Sequence, residues 1–600
     1  MNKTNIIKRL NRLIELGPIG TIKRIKNKAQ KKLFLFKFKK KILQKNKNKC
    51  DLSWQKDFNT VKAAKTWGNK LLFFSDIKIE SVKNNNIFDY HPDIKIPWEK
   101  SRFQNLYSLG QDYHKTNDEK NAQEFQKQVN NWIDNNPFLL GVNWACPMEV
   151  AIRAINWIYA FQFFKNSKTI SPDFLQKFTN SLHEHMIYLE GNFEESDKPN
   201  NHYLSDLIGY FYLTIFFKNL KKQKWVIKKL LKQFDQQIQD DGTSYEGSTN
   251  YHKFVTEIFW HLKILCQNNH IKLPEHFYEK FNKMIRFIND CTDQSGNFVQ
   301  IGDNDSGRIL DDRSLSFDYA PVFVPPDGGT STGRQDERRK DSLPNFIQNK
   351  YKTKKQFFTD IKKNCPPLVL SVVEGFERSN YSHYPNFGLT IIKKNNCHIT
   401  FRHPTFNKKQ PTGHFHQDEL SITLSVDRIP ILVDPGTYVY TANSFARNYF
   451  RSYQSHNTFF EKKQSKFEDL FQLPRKKQND IATIEHRENN IILSNHTNNL
   501  YRKLIHNPDK ETLEIYDSFN KNLDIEWNFI FHPKIILEKQ KNYWLIKKDK
   551  KEILKIYSDI KFEKSNGFFS ESYGKIEPCL KLTGQKNGSF DNIKIIFTKL

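Results

Sequence analysis

The chain has 600 residues, too many for one hydrophobic core, so more than one domain is expected. Only 38% of it is hydrophobic, but 14% is aromatic and includes 50 Phe, enough core volume to exclude a disordered chain. Lys and Arg outnumber Asp and Glu by 94 to 66, a formal net charge of +28. Such a charge favours nucleic acid, anionic lipid or an acidic polysaccharide as partner. A coding bias toward Lys, Asn and Ile with solvated lysines produces the same excess. The seven cysteines are odd in number and scattered, without a C-x-x-C, which does not point to a disulfide framework or a thiolate zinc site. No stretch reaches the roughly 18 apolar residues of a membrane span.

Residues 1–50 form a basic N-terminal arm. Its apolar runs are too short for a signal-peptide core, so a cytoplasmic or membrane-peripheral location is expected. The arm reads as a solvated lysine-rich segment or a packed first helix, and alternatively as a basic helix in peripheral contact with a membrane. From 51 to 320 the pattern is helical. In "PMEVAIRAINWIYAFQFF", Met148, Ile152, Ile155, Tyr159 and Phe163 make one apolar stripe, and Pro147 suits a first turn. Glu149, Arg153 and Asn156 fall on another face, where Glu149 and Arg153 can pair at i, i+4. Further helices are expected at 181–189, 203–218, 224–239, 252–267 and 275–291, a helical array or toroid. Residues 321–382 switch to Pro, Gly, Arg and Val, with wording like a translated genomic repeat; they read as a linker or insertion, looped out or disordered. From 383 to 600 the period is two, and "FGLTIIKKNNCHITF", "ELSITLSV", "IPILVD", "NIILSN", "TLEIYDSF" and "KIIF" read as strands of an antiparallel β-sandwich.

Four stretches carry ionisable groups. "KPNNHYLSD" sets Asn200, Asn201 and His202 at a helix start, where Asn also serves as a plain N-cap. "DDGTSYEGSTNYHKF" brings Tyr245, Glu246, Tyr251 and His252 around a glycine loop; a tyrosine there is a core residue, or an acid or base if cations lower its pKa. "QIGDNDSGRI" lacks the frame of a calcium loop and reads as an Asx-bonded turn. In "GHFHQDELSITLSVDRIPILVDPGTYVY", Leu420, Ile422, Leu424 and Val426 share a strand face, and extending the alternation backwards turns His414, His416 and Asp418 inward. Inward histidines are satisfied core groups or ligands, and "RNYFRSYQSHNTFF" adds His456. Two histidines and an aspartate from separate strands suit zinc. A two-residue turn at Asp427–Arg428, however, sets Asp434 about ~17 Å from the level of His416, so shared ligation needs a bulge or a curl.

Together "NWACPMEVAIRAINW", "NNHYLSD", "DGTSYEGSTNYHKFVTE", "GDNDSGR", "GHFHQDELS" and "ILVDPGTYVY…RNYFRSYQSHNT" resemble the heparinase II/III-like polysaccharide lyases, which include heparin/heparan sulfate lyases and oligoalginate lyases. Six motifs occur in the family's order between Asn143 and Thr458. The resemblance implies an α+β multidomain chain, an N-terminal incomplete (α/α) toroid followed by a C-terminal antiparallel β-sandwich. It implies β-elimination on an acidic glycan containing uronic acid. By motif, Asn201 and His202 bind and neutralise the uronate carboxylate, Tyr251 acts as acid and perhaps base, His414 assists as base, and Tyr449 is a second catalytic tyrosine. Glu246 and Arg451 join Asn201 and His202 as substrate-binding residues. His416, Asp434 and His456 are the implied ligands of one Zn2+ that organises the β-domain edge. Such lyases are usually exported, which makes the periplasm or cell envelope the alternative location. Two rival functions remain: a non-catalytic acidic-glycan-binding protein on the same scaffold, in surface polysaccharide assembly, and a nucleic-acid binder suggested by charge alone, with no recognised motif beside the lysines.

Overall fold

The computed structural model describes residues 93–310, 381–404, 413–462, 483–487, 490–497 and 500–600. The basic arm at 1–50 lies outside the described residues, as does the expected insertion at 321–382 apart from Tyr381 and Ser382, which open a strand. Among the described residues no helix is long and apolar enough to cross a membrane.

The first half is helical: α1 (Lys95–Lys100), α2 (Asn105–Thr116), α3 (Glu119–Asn135), α4 (Pro147–Phe164), α5 (Pro172–Asn192), α6 (Asn201–Phe216), α7 (Leu220–Gln237), α8 (Thr249–Asn268) and α9 (Glu275–Asp290). Helix α4 begins and ends where its sequence pattern does, but almost every side chain along it is buried, not one stripe. It is the central helix, packed by α2, α5 and α6. That burial overturns the expected Glu149–Arg153 pair. Glu149 instead takes a two-point bond from Arg102, Nε to Oε2 and Nη2 to Oε1 at 2.7 Å each. Arg153 donates Nε to His185 Nε2 at 2.9 Å and lies 4.1 Å over the Trp132 ring. A buried carboxylate is best held by a planar fork, and α1's end supplies one that a helical neighbour cannot. Gly209 lets α6 press against α4, because a Cβ there would sit 2.7 Å from the Ala151 Cα.

The second half is a pair of antiparallel sheets. One runs β1 (Tyr381–Tyr384), β2 (Leu389–Lys394), β3 (Cys397–Arg402), β4 (Ile422–Val426), β5 (Ile429–Leu432) in sequence order. The other is built on two long strands, β10 (Thr512–Ile530) and β15 (Glu577–Lys599). Beside β10 lie β6 (Phe459–Glu461) and the meander β9 (Leu500–Asn507), β8 (Asn490–Thr497), β7 (Thr483–Arg487). Beside β15 lie β14 (Phe562–Phe569) and β13 (Lys551–Ser558), β12 (Trp544–Lys548), β11 (Ile535–Lys539). Strand β9 alternates buried and half-buried residues, as period-two patterning requires. Phe401 and Leu424 of one sheet meet Leu504, Trp527 and Phe529 of the other in a shared core.

The β4–β5 turn falls at Asp427 and Arg428, with φ of 49° and 66°, the left-handed pair of a tight hairpin. Upstream the expectation fails. Residues 413–421 are not strand. Leu420 takes φ 60° and Ser421 N–H bonds back to the Asp418 carbonyl at 3.1 Å, so the chain curls instead of alternating. This curl carries His416 back toward Asp434.

Sandwich and toroid meet along a packed seam. Phe287 and Cys291 from the end of α9 join Tyr384, Phe387 and Leu389 in one apolar cluster. Tyr384 Oη donates to Asp290 at 2.6 Å, and Asp303 N–H to the His414 carbonyl at 3.0 Å. Gly302 sits where a Cβ would be 2.5 Å from that same carbonyl, at φ +67°, so no other residue fits there without displacing the curl.

Candidate active site

Two helix N-termini make one wall. Asn200 caps α6, its Oδ1 accepting from Tyr203 N–H at 2.9 Å, and this sets Asn201 and His202 in the first turn. Ser248 caps α8, accepting from Tyr251 N–H at 3.2 Å, and this sets Tyr251 in the first turn there. Glu246, just before α8, accepts Asn201 Nδ2–H on both carboxylate oxygens at 3.0 Å, so the two first turns lie side by side.

The sandwich supplies the other wall. The His414 ring stacks on the Tyr251 ring, centroids 3.7 Å apart, and the Tyr251 hydroxyl is 3.1 Å from that of Tyr440. Behind them Asp303 is a hub. Its buried carboxylate bonds Arg447 through Nη1 and, at 2.8 Å, through Nη2; it also bonds His414 Nδ1 at 3.1 Å and His416 Nε2 at 2.9 Å. Burial works against its charge, but Arg447 and the two histidines hold it well below the usual carboxylate range. With Nδ1–H donated to Asp303, a neutral His414 keeps its lone pair on Nε2.

The electrostatics revise one expectation. Cations were expected to favour the Tyr251 phenolate. Instead burial, with the charges of Asp305 and Asp303, pushes its phenol well above 10.0, so the hydroxyl holds its proton. Tyr440 is raised in the same way by burial and Asp303. His202 differs. Burial opposes its charge, but the Glu194 carboxylate, 3.1 Å from Nδ1, raises it well above 6.5 and keeps an imidazolium on the wall.

His416, Asp434 and His456 come together, one donor atom from each lying within 4.8 Å of the others and all three residues buried. Asp434 Oδ2 is 3.0 Å from His456 Nδ1, and its Oδ1 accepts from Gly436 N–H at 3.0 Å. His416 Nδ1 and His456 Nε2 are buried without a hydrogen-bond partner among the described residues. Orphaned imidazole nitrogens beside a carboxylate fit a metal ion.

Three candidates lie elsewhere or act otherwise. Tyr449 packs against Phe450 and Phe568, its hydroxyl engaged by Ser455, and Tyr440 stands beside Tyr251 in its place. Arg451 is fully buried and its guanidinium bonds Asn448, so it presents no surface to a ligand; one helical turn earlier, Arg447 reaches Asp303. Glu246 is 2% exposed and serves as a clamp on the Asn201 amide. The sequence reading missed Asp303, Glu194, Tyr440 and the role of Arg447. Asp303 hid in a loop read as an Asx turn, which its neighbours do form: Asn304 accepts from Ser306 N–H and Asp305 from Gly307 N–H. Tyr440 closed a stretch already noted for Asp434, and only the three-dimensional path could rank it above Tyr449.

Comparison with known proteins bears on this arrangement. Residues 21–303 match the family described as Heparinase II/III N-terminus, and residues 377–593 that described as Heparinase II/III-like, C-terminal. A heparin-sulfate lyase of Pedobacter heparinus is 28% identical over 218 residues, 33% of this chain and 32% of the relative. One of Bacteroides stercoris is 26% identical over 228 residues, 32% of this chain and 33% of the relative. Each match thus spans about a third of the relative's length. Among solved structures, a heparinase III aligns with TM-score 0.62 at 16% identity, covering 90% of this chain and 85% of that one. A heparan sulfate lyase of Pedobacter heparinus aligns with TM-score 0.53 at 19% identity, covering 84% of this chain and 77% of that one. These likenesses support the toroid-plus-sandwich architecture.

Proposed function

The chain belongs to the heparinase II/III family, and from that premise we propose that it is a polysaccharide lyase cleaving an acidic, uronic-acid-containing glycan by β-elimination. The observation that carries the reading is the facing pair of Tyr251, its hydroxyl proton retained, and His414, its Nδ1 tied to Asp303.

The chemistry requires a neutralised carboxylate, a base and an acid. The His202 imidazolium and the clamped Asn201 amide receive the uronate carboxylate, so that charge developing toward C5 as the enolate forms meets fixed donors. Both lie at the N-terminus of α6, whose dipole favours an anion. His414 Nε2 accepts the C5 proton. Tyr251 gives its proton to the C4 oxygen as that bond breaks, and the Tyr440 hydroxyl orients it. The net charge of +28 suits a polyanionic substrate.

For His416, Asp434 and His456 we assign zinc, since imidazole and carboxylate donors suit it. When bound, the ion supplies a fixed charge that locks His416 and, through Asp303, the orientation of His414.

The test is a screen of the purified, metal-loaded protein against heparan sulfate, alginate, hyaluronan and bacterial capsular polysaccharides. A lyase produces the ultraviolet absorbance of an unsaturated uronate at each new non-reducing end. Tight binding to such glycans without that absorbance from any of them would favour the non-catalytic glycan-binding alternative instead.

A further inference from the structure

The wall that holds His202 contains a second group of donors. Cys146, Glu194 and His202 each offer one ligand atom, and these lie within 4.8 Å of one another. They come from three segments: the residue before α4, the stretch between α5 and α6, and the first turn of α6. Spacing in the sequence therefore gives no hint of them.

We propose that Cys146, Glu194 and His202 form an inhibitory site for a thiophilic divalent cation such as Zn2+ or Cd2+, distinct from the His416–Asp434–His456 group. Four observations support it. The donor set is mixed sulfur, oxygen and nitrogen, which zinc-like ions accept and magnesium or calcium do not. Tetrahedral zinc holds its ligand atoms roughly 3.3–3.8 Å apart. Here Glu194 Oε2 and His202 Nδ1 are 3.1 Å apart and the whole group spans at most 4.8 Å, so small side-chain rotations complete the geometry. Thiolate plus carboxylate cancel a 2+ charge, so the loaded site is neutral in a partly buried place, where an unpaired ion would be costly. Finally, Cys146 is fully buried at the N-terminus of the 18-residue α4, while the Glu194 and His202 side chains keep 16% and 35% exposure. The ion enters from the cleft, and the α4 dipole favours the thiolate.

Binding displaces the thiol proton and any imidazole proton to solvent and forms metal–sulfur, metal–oxygen and metal–nitrogen bonds, with no redox change. Under the lyase reading, on which the inhibitory part rests, this removes His202 from the uronate carboxylate and turns the wall's cation into a neutral cluster. Substrate binding and turnover then fall together.

The experiment titrates Cd2+ into the full-length, zinc-loaded protein and follows the ultraviolet cadmium–thiolate charge-transfer band. The first site has no sulfur and is silent in this band. Wild type is expected to develop the band to saturation at one equivalent, Cys146→Ser is expected to lack it, and Mg2+ is expected to produce none. Absence of the band in wild type, or its persistence in Cys146→Ser, overturns the site. Should Cys146→Ser fold poorly, Glu194→Gln keeps the thiol and is expected to shift the band to higher Cd2+; an unshifted titration counts against the site. In parallel, uronate product formation is expected to fall with the band in wild type and to stay at its starting rate in Cys146→Ser. Loss of activity without the band, or a full band without loss of activity, overturns the inhibitory role. A saturating band in a protein with no lyase activity at any Cd2+ leaves the metal site standing and sinks the lyase reading.

Discussion

Replacing Asp303 with Asn isolates the hub behind the catalytic wall. The backbone there is held independently, by Ser248 Oγ–H to the Asp303 carbonyl at 2.6 Å and by Asp303 N–H to the His414 carbonyl at 3.0 Å. Only the side chain is therefore perturbed. The wild-type carboxylate accepts two bonds from Arg447 and one each from His414 and His416. An amide of the same shape keeps one acceptor oxygen and turns the other into a donor, which faces N–H groups. Two of the four contacts are lost, and hydrogen bonds to charged groups are worth about 1.5–3 kcal/mol each. That sum agrees with the roughly 3–5 kcal/mol lost when one partner of a buried ion pair is removed, and Arg447 is fully buried. Because His416 Nε2 loses its carboxylate, metal affinity should drop by about 10–100-fold, the usual effect of a ligand's supporting group. His414 loses the bond that fixes its tautomer, so turnover should fall by on the order of 10²-fold or more. Urea unfolding, chelator competition and uronate absorbance measure the three effects. An Asp303→Asn protein within about 1 kcal/mol of wild-type stability, with unchanged metal affinity and turnover, would refute the assignment of Asp303 as hub.

Three further outcomes are expected. Tyr251→Phe keeps the ring that stacks on His414, so it should fold and bind substrate while losing on the order of 10²–10⁴ in kcat; near-normal turnover would move the acid role to Tyr440. Elemental analysis should find one zinc per wild-type chain and little in His456→Ala, and a metal-free yet fully active wild type would contradict the assigned ion. His252 is fully buried, accepting from Ser244 N–H on Nδ1 at 3.0 Å with Nε2 3.1 Å from the Met284 carbonyl, an arrangement for the neutral ring. Burial lowers its pKa to about 4, so below pH 6.5 the unfolded chain binds the proton first; the contribution is full above 6.5 and is lost as pH falls toward about 4. Between pH 7 and 5 wild type should lose about 2 kcal/mol more than His252→Gln in denaturant unfolding, and parallel pH profiles would exclude this.

How much was legible depended on how local each signal was. Helix α4 could be bounded from sequence because Pro147 starts it and apolar residues continue to Phe164. Its charge pairing could not, because the partner of Glu149 is Arg102, brought in by tertiary packing. The metal triad was readable from residue types, but the strand rule argued against it. Resolution came from the left-handed Leu420, a backbone choice that no apolar periodicity reports. Asp303 was invisible for a related reason. An Asp in an Asn- and Gly-rich loop looks like a turn former, and its partners His414, His416 and Arg447 lie more than a hundred residues away, across the seam. Tyr449 and Tyr440 could not be ranked without knowing which faces Tyr251.

The placement of Gly302 against the His414 carbonyl has a consequence for how the protein fails. One half contributes Asn201, His202, Tyr251 and Asp303; the other contributes His414, Tyr440 and Arg447. Neither half holds a reduced version of the reaction centre, so a partial separation by an ångström or two silences it while both cores stay intact. Heat inactivation should therefore precede loss of helix and sheet signal and should reverse on cooling while the halves remain folded. The glycine acts as a fit-tolerance gauge: it sets how closely two otherwise independent bodies must register before any chemistry exists.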